Sequence, residues 1–130
     1  MLLDTHPLYW WMTGQTRRLT RAQNRVIDHA TDHAPLLVSP LSMFEIANLV
    51  RQGRVGVSID RLQGLLEAIA AAPVTQLDLT TDEALMAMRV PESITDPIDR
   101  MLCGTARYLE VPLITSDRAI IGAAWVETVS

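Results

Sequence analysis

Short, uninterrupted runs of apolar residues recur along the chain, separated by longer segments with helical periodicity. The first run covers residues 1–3, and similar runs follow at 36–38 and 113–114; a further strand is predicted at 74–79, where apolar and polar residues are mixed. Apolar runs of this length, bounded by polar or turn residues, predict strands that are buried on both faces. A weaker apolar stretch at 125–129 predicts a last strand at the edge of the sheet.

The segments between these runs combine apolar residues at helical spacing with capping residues. Ser39 before Pro40 predicts a helix start, because serine caps the first turn and proline suits the first helical position. Thr20 with Gln23 has the spacing of a capping box. The predicted helices lie at 7–12, 20–33, 40–52, 58–69, 80–88 and 96–109.

Strands that alternate with helices indicate βαβ units and a mainly parallel sheet covered on both faces. The 130 residues contain no repeat and no long linker, so we expect one α/β/α domain of three layers over residues 1–130. In such sheets ligands bind beyond the carboxyl ends of the strands. Asp4 and Asp117 each follow a predicted strand at that position.

Composition narrows the possible functions. No apolar run approaches the roughly 18 residues of a membrane span, and the opening MLLDTHPLYWW does not resemble a signal peptide. The one cysteine, Cys103, excludes an internal disulfide and is typical of a reducing cytoplasm. A net charge of −4 argues against binding nucleic acid through overall positive charge. All eleven basic residues are arginine.

Each acid near the predicted strand ends also has an ordinary structural explanation. Asp4, Asp96 and Asp117 could cap helices, and Asp99 at a third helical position would favour the helix dipole. Glu45 could belong to a narrow solvated stripe on a mostly apolar helix. These explanations stay open for each acid taken alone.

Taken together, the acids support a different hypothesis. Four carboxylates at one rim of a sheet would repel one another unless a divalent cation neutralised them. Their hard oxygen atoms select Mg²⁺, or Mn²⁺, over zinc. Such an ion suits phosphodiester cleavage, because it activates water and stabilises charge on the phosphate oxygens.

Four segments resemble PIN-domain ribonucleases, most closely the VapC-type toxins of bacterial toxin–antitoxin pairs. They are MLLDTHPLYWWMTG, SPLSMFEIANLVRQGRV, DPIDRMLCGTAR and PLITSD, in this order and spacing. The resemblance extends from Met1 to the last predicted strand. It implies a cytoplasmic, Mg²⁺-dependent endoribonuclease that acts as a toxin on RNA. It also implies a cognate antitoxin, and a homodimer or a toxin–antitoxin hetero-oligomer.

The resemblance also implies roles for individual residues. The positions of the family's acidic quartet are Asp4, Glu45, Asp99 and Asp117. Asp4 and Asp99 would be the principal Mg²⁺ ligands, while Asp117 and Glu45 complete the site and position water. Asp96 matches an additional aspartate, for which we expect capping, and Thr115 matches a hydroxyl that holds a water or Asp4. Pro7 departs from the family pattern and is expected to alter how the first helix leaves the strand.

Two further groups of charged or imidazole side chains have helical spacing. Arg18, Arg21 and Arg25 are predicted to share a face of the helix at 20–33, as an exposed charged surface or as an edge that follows RNA phosphates. His29 and His33 have the spacing of two zinc ligands on one helix, but no third ligand accompanies them, which favours a solvated face.

Two other classes of function compete with the nuclease. Receiver domains and haloacid-dehalogenase-like phosphatases also place an aspartate at a strand end, but they need a lysine, and this chain has none. The phosphatases also need a second aspartate where this chain has His6. A catalytically silent binding module with the PIN fold is the other alternative, against which the intact quartet argues.

Overall fold

A computed structural model describes residues 1–130 and contains five strands and seven helices. The strands are β1 (Leu2–Leu3), β2 (Leu36–Val38), β3 (Val74–Gln76), β4 (Leu113–Ile114) and β5 (Thr128–Val129). The helices are α1 (Thr5–Met12), α2 (Arg21–Asp28), α3 (Pro40–Arg51), α4 (Ile59–Ala70), α5 (Thr81–Ala87), α6 (Pro97–Tyr108) and α7 (Arg118–Ala123). A 3₁₀ turn at Thr16–Arg18 precedes α2. None of the helices is long and apolar enough to cross a membrane.

The strands form one entirely parallel sheet in the order β3-β2-β1-β4-β5. The central strand β1 therefore pairs with β2 on one side and with β4 on the other. Connections that run outward in both directions from one strand leave a crevice at its carboxyl end. Asp4, which follows β1 directly, lies at this crevice.

Alternate residues of the strands bury against different layers of helices. Leu3 belongs to a core that includes Ile46 of α3, whereas Leu2 belongs to a second core that includes Leu102 of α6. Successive side chains of a strand point to opposite faces, so two adjacent leucines serve two cores. The predicted three-layer α/β/α fold with a parallel sheet is confirmed.

The extent of several elements differs from the prediction. Helix α2 ends at Asp28 and not near His33, because residues 28–33 carry no large apolar side chain that could pack on the core. His29 is the C-terminal cap of α2, so His29 and His33 do not share a helix face.

Strand lengths are limited by the neighbouring strands. β3 stops at Gln76 because its partner β2 stops at Val38, the residue opposite. β5 contains only two residues because it pairs with the two residues of β4. The predicted strands at 74–79 and 125–129 were therefore too long.

Helices α5 and α6 are in very close contact at Gly104. A Cβ atom at this position would lie 2.7 Å from the backbone nitrogen of Ala87. One turn earlier, the Arg100 guanidinium donates hydrogen bonds to carbonyl oxygens at the end of α5 and in the following loop, including 2.8 Å to Val90 and 2.9 Å to Ile94. Arg100 thereby fixes the loop that connects α5 to α6.

Candidate active site

Carboxylate side chains from four separate parts of the chain line one open pocket of about 370 Å³ at the crevice. Its lining residues are Asp4, His6, Trp10, Glu45, Asp96, Asp99, Ser116 and Asp117. The predicted quartet and Asp96 therefore meet at one place, and no arginine lines this pocket. An excess of negative charge is concentrated in a small volume.

Asp4 is fixed on both sides of its carboxylate. It caps α1, where one oxygen accepts a hydrogen bond of 2.6 Å from the Thr5 amide, and the other accepts one of 2.6 Å from the Thr115 hydroxyl. The side chain is only 4% exposed. Burial raises the pKa of Asp4, and Glu45 raises it further, while the hydrogen bonds from Thr115 and Thr5 oppose this. Pro7 is the third residue of α1, where no intrahelical amide bond is lost.

Glu45 is held by a residue that the sequence analysis missed. The hydroxyl of Thr5, which is 1% exposed, donates a hydrogen bond of 2.5 Å to Glu45 Oε2. Because the backbone of Thr5 also binds Asp4, one residue fixes two acids. The only sequence signal was a hydroxyl directly after the strand-end aspartate.

Asp96 and Asp99 have different roles at the start of α6. Asp96 Oδ1 accepts hydrogen bonds of 2.8 Å and 3.1 Å from the amides of Ile98 and Asp99, which confirms the predicted cap. Asp99 is half-buried in the pocket and makes no such bond through its side chain. Burial, followed by the charges of Asp4 and Asp96, raises the pKa of Asp99 to about 7.

Thr115 joins two acids across the crevice. Its hydroxyl donates to Asp4 and accepts a 3.0 Å hydrogen bond from the amide of Asp117. The Asp117 carboxylate caps α7, a helix that the sequence analysis did not predict, through bonds of 2.7 Å and 3.0 Å to the amides of Ala119 and Ile120. The expectation that Thr115 holds Asp4 is confirmed.

The buried side chain of Gln23 holds the backbone at Thr115 and at Val129 in place. Its amide nitrogen donates to the carbonyl oxygens of Thr115 and Val129, at 2.9 Å and 3.2 Å, and to the Ser116 hydroxyl at 3.2 Å. Its side-chain oxygen closes the capping box with Thr20. In the sequence, the capping-box spacing alone accounted for Gln23, and its contacts with Thr115 and Val129 were not predicted.

The donor atoms of the pocket are suited to a hard divalent cation. Carboxylate oxygens are the ligands preferred by Mg²⁺ and Mn²⁺. No three of these side chains lie at the spacing at which they could share one ion. Mutual repulsion keeps uncompensated carboxylates apart, and the half-buried side chains of Glu45, Asp99 and Asp117 would have to turn inward to share a cation. Metal binding stays a prediction.

The predicted arginine face on α2 is only partly formed. Arg18 lies in the 3₁₀ turn, so the prediction that it shares the helix with Arg21 and Arg25 was wrong. Its guanidinium lies over the Trp10 ring, 5.5 Å from the centroid. Arg21 and Arg25 are exposed on α2 and do not line the acidic pocket.

Comparison with known proteins assigns the family. The family model described as PIN domain matches residues 1–126. The chain belongs to the PIN-domain family. It is also 35% identical to Ribonuclease VapC22 of Mycobacterium tuberculosis over 121 residues, which cover 92% of this chain and 88% of that protein. The resemblance of the four segments to PIN domains is thereby confirmed.

Solved structures agree with this PIN-domain fold. VapBC2 of Rickettsia felis, bound to a DNA fragment from its promoter, matches with a TM-score of 0.72 at 10% identity, over 98% of this chain and 95% of the other. DNA-bound VapBC of Salmonella typhimurium matches with a TM-score of 0.72 at 15% identity, over 98% of this chain and 94% of the other. At these identities the matches show the fold.

Cys103 does not line the acidic pocket of this PIN domain. It is fully buried between α6 and the sheet, as expected for a core residue. Burial, followed by the negative charges of Asp99 and Asp4, raises the pKa of the Cys103 thiol to about 12. A reactive thiolate is therefore not available at this position.

Proposed function

We propose that this protein is a metal-dependent endoribonuclease, using Mg²⁺ or Mn²⁺, and the toxin of a toxin–antitoxin pair. The observation that carries the proposal is the convergence of five carboxylates on one crevice that no arginine or lysine lines. Such a cluster gains stability from a bound cation and provides the oxygen ligands that Mg²⁺ requires. The 35% identity to Ribonuclease VapC22 supports RNA as the substrate.

The chemistry divides among the residues as follows. Asp4 and Asp99 would hold the metal ion, with Asp117 beside them, and the ion would supply charge stabilisation for the phosphate and activation of water. Thr5 fixes Oε2 of Glu45, which leaves Oε1 free to accept a hydrogen bond from the attacking water. Thr115 fixes the orientation of Asp4, the most buried acid of the group.

We also propose a cognate antitoxin as partner, in a toxin–antitoxin hetero-oligomer, a toxin homodimer, or both. The similar fold of the R. felis and S. typhimurium VapBC complexes supports this proposal. A cytoplasmic location is proposed with it, because the RNA substrates of such a toxin are found there.

The function is tested by incubating purified protein with single-stranded RNA and Mg²⁺. We expect internal cleavage that EDTA abolishes and added Mg²⁺ restores. Asp4→Asn protein, purified in parallel, controls for contaminating nucleases, because a contaminant cleaves equally in both preparations. Folded protein that cleaves no RNA with Mg²⁺ or Mn²⁺ would favour the silent binding module.

Thr115→Val is expected to reduce Mg²⁺ affinity and RNA cleavage by about tenfold to a hundredfold, the usual cost of removing a group that orients a metal ligand. Valine keeps the shape but removes the hydrogen bond to Asp4 and the acceptor for the Asp117 amide. Thr115→Ser retains the hydroxyl and is the matched control. Isothermal calorimetry with Mg²⁺ and RNA cleavage rates provide the measurements. Equal losses in both variants would show that the hydroxyl is not the important feature.

A further inference from the structure

Three arginines line a second concavity beside the acidic pocket. This concavity has a volume of about 530 Å³, and its charged lining residues are Arg18, Arg54 and Arg61, with no acid among them. The three come from the 3₁₀ turn, the loop after α3 and helix α4. We call this surface the arginine groove. The protein thus separates its charges, with acids in one depression and cations in the next.

A smaller concavity of about 180 Å³ joins the two. It shares His6 and Trp10 with the acidic pocket, and it shares Arg18 and Arg54 with the arginine groove. A continuous path therefore leads from the carboxylates, past the imidazole and the indole ring, to the guanidinium groups. A chain molecule seated in the acidic pocket can leave it along this path.

The arginines of the groove are not engaged in holding the fold together. Elsewhere, Arg100 and Arg107 donate hydrogen bonds to backbone carbonyls, whereas the guanidinium groups of Arg18, Arg54 and Arg61 donate none to other protein groups. Arg18 is held in position by the Trp10 ring, at 5.5 Å. Exposed guanidinium groups without protein partners are available for an anionic ligand, and their planar forks suit phosphate.

We propose that the arginine groove binds the backbone phosphates of single-stranded RNA on one side of the cleaved bond. This inference rests on the proposed nuclease function. The substrate of an endonuclease continues beyond the reacting phosphate, and each further nucleotide carries a negative charge that needs a counter-charge once it leaves the metal site. At the junction, the half-buried ring of Trp10 offers a surface for base stacking. An acidic peptide is a poorer ligand, because its carboxylates bring no stacking surface and would approach the five acids.

The first test measures RNA affinity as a function of salt in EDTA, where RNA stays intact. The dissociation constant of a fluorescent single-stranded RNA is compared for wild type and two double variants. Arg54→Gln/Arg61→Gln is the groove variant, and Arg51→Gln/Arg89→Gln is the control. The last variant loses the same charge at exposed positions outside the groove. For the groove variant, the slope of log affinity against log salt is expected to decrease by about 1.4, or about 0.7 for each lost phosphate contact. The matched control is expected to retain the wild-type slope.

The second test distinguishes RNA binding in the arginine groove from catalysis in the acidic pocket. With RNA and Mg²⁺, the groove variant is expected to show a KM raised about tenfold to a hundredfold with kcat nearly unchanged, as for a lost binding contact. Bis(4-nitrophenyl) phosphate is too small to reach the groove, so its hydrolysis should be unchanged in the same variant. If the groove variant shows the expected decrease in slope but wild type cleaves no RNA, the nuclease function fails while the groove proposal stands.

Several results would overturn the groove proposal. These are an unchanged slope and KM in the groove variant, an equal loss in Arg51→Gln/Arg89→Gln, and no RNA binding by wild type. A loss in Arg21→Gln/Arg25→Gln that the groove variant does not show would place the phosphates on α2 instead. A groove variant that keeps its RNA affinity but no longer binds its antitoxin would assign the surface to a protein partner.

Discussion

Asp99→Asn is expected to reduce kcat/KM for RNA cleavage by about a thousandfold, because metal-based charge stabilisation is worth several kcal/mol and each 1.4 kcal/mol is about a factor of ten. Asparagine has the same shape but presents a neutral amide where the proposed metal site needs a carboxylate. Single-turnover cleavage of RNA at saturating Mg²⁺ measures the effect. Asp96→Asn, at the exposed cap of the same helix, is the matched comparison and should cost far less activity.

The same substitution is expected to stabilise the metal-free protein. The pKa of Asp99 is about 7 in the folded state, against an ordinary value of 3.8. Between these values the folded protein keeps a proton that the unfolded chain releases, so stability falls as pH rises through this window. Asp99→Asn removes that dependence. Thermal melting in EDTA should therefore show a smaller loss of Tm between about pH 5 and 7.5 for the variant than for wild type.

Added Mg²⁺ should make wild type more stable than Asp99→Asn, the reverse of the order expected without metal. A bound cation needs the ionised carboxylate, so metal binding releases a proton and strengthens as pH rises towards 7 and above. Wild type should gain Tm on addition of Mg²⁺ at about pH 7.5, whereas Asp99→Asn should gain little. If metal-free Asp99→Asn melts at a lower temperature than metal-free wild type at this pH, charge repulsion around Asp99 does not destabilise the fold as expected.

Gly104→Ala is expected to reduce the free energy of unfolding by about 3 kcal/mol, the upper part of the usual range for overpacking. The new methyl group would lie 2.7 Å from the nitrogen and 2.8 Å from the Cα of Ala87, both backbone atoms that a rotamer change cannot move. Helices α5 and α6 would have to separate. Urea denaturation followed by circular dichroism measures the loss.

Gly64 provides the matched control for this substitution. It lies in the interior of α4, and a Cβ atom there meets nothing within 4 Å. Gly64→Ala should therefore stabilise the protein by about 0.5 to 1 kcal/mol through helix propensity. If both variants behaved alike, close approach of the helices would not explain the glycine at position 104.

The order and type of most elements could be predicted because local chemistry determines them. Ser39-Pro40 and Asp96-Pro97 start helices in the structure as they do in the sequence pattern. The ends of the strands could not be predicted, because β3 and β5 stop where β2 and β4 stop, a property of the neighbours. Helix α7 was missed because a six-residue helix has too few turns to show periodicity.

The candidate site shows the same division between local and long-range information. The acids could be found because each lies just after a strand or in a helix whose position the pattern predicts. Two of their supports could not be found, since Thr5 contacts a residue 40 positions away and Gln23 one 92 positions away. Arg54 and Arg61 look like scattered surface charges in sequence, and they face one groove only through the packing of α3, α4 and the 3₁₀ turn.

The interior position of β4, between β1 and β5, makes assembly of the crevice depend on distant parts of the chain. This strand pairs with β1, and Thr115 directly after it contacts Asp4 over a separation of 111 positions. A nascent chain still lacking β4 can fold local helices but cannot assemble the crevice. The carboxylates of the pocket therefore come together only once residues 113–117 have been added to the chain, and the arrangement on which the proposed activity depends cannot form before that.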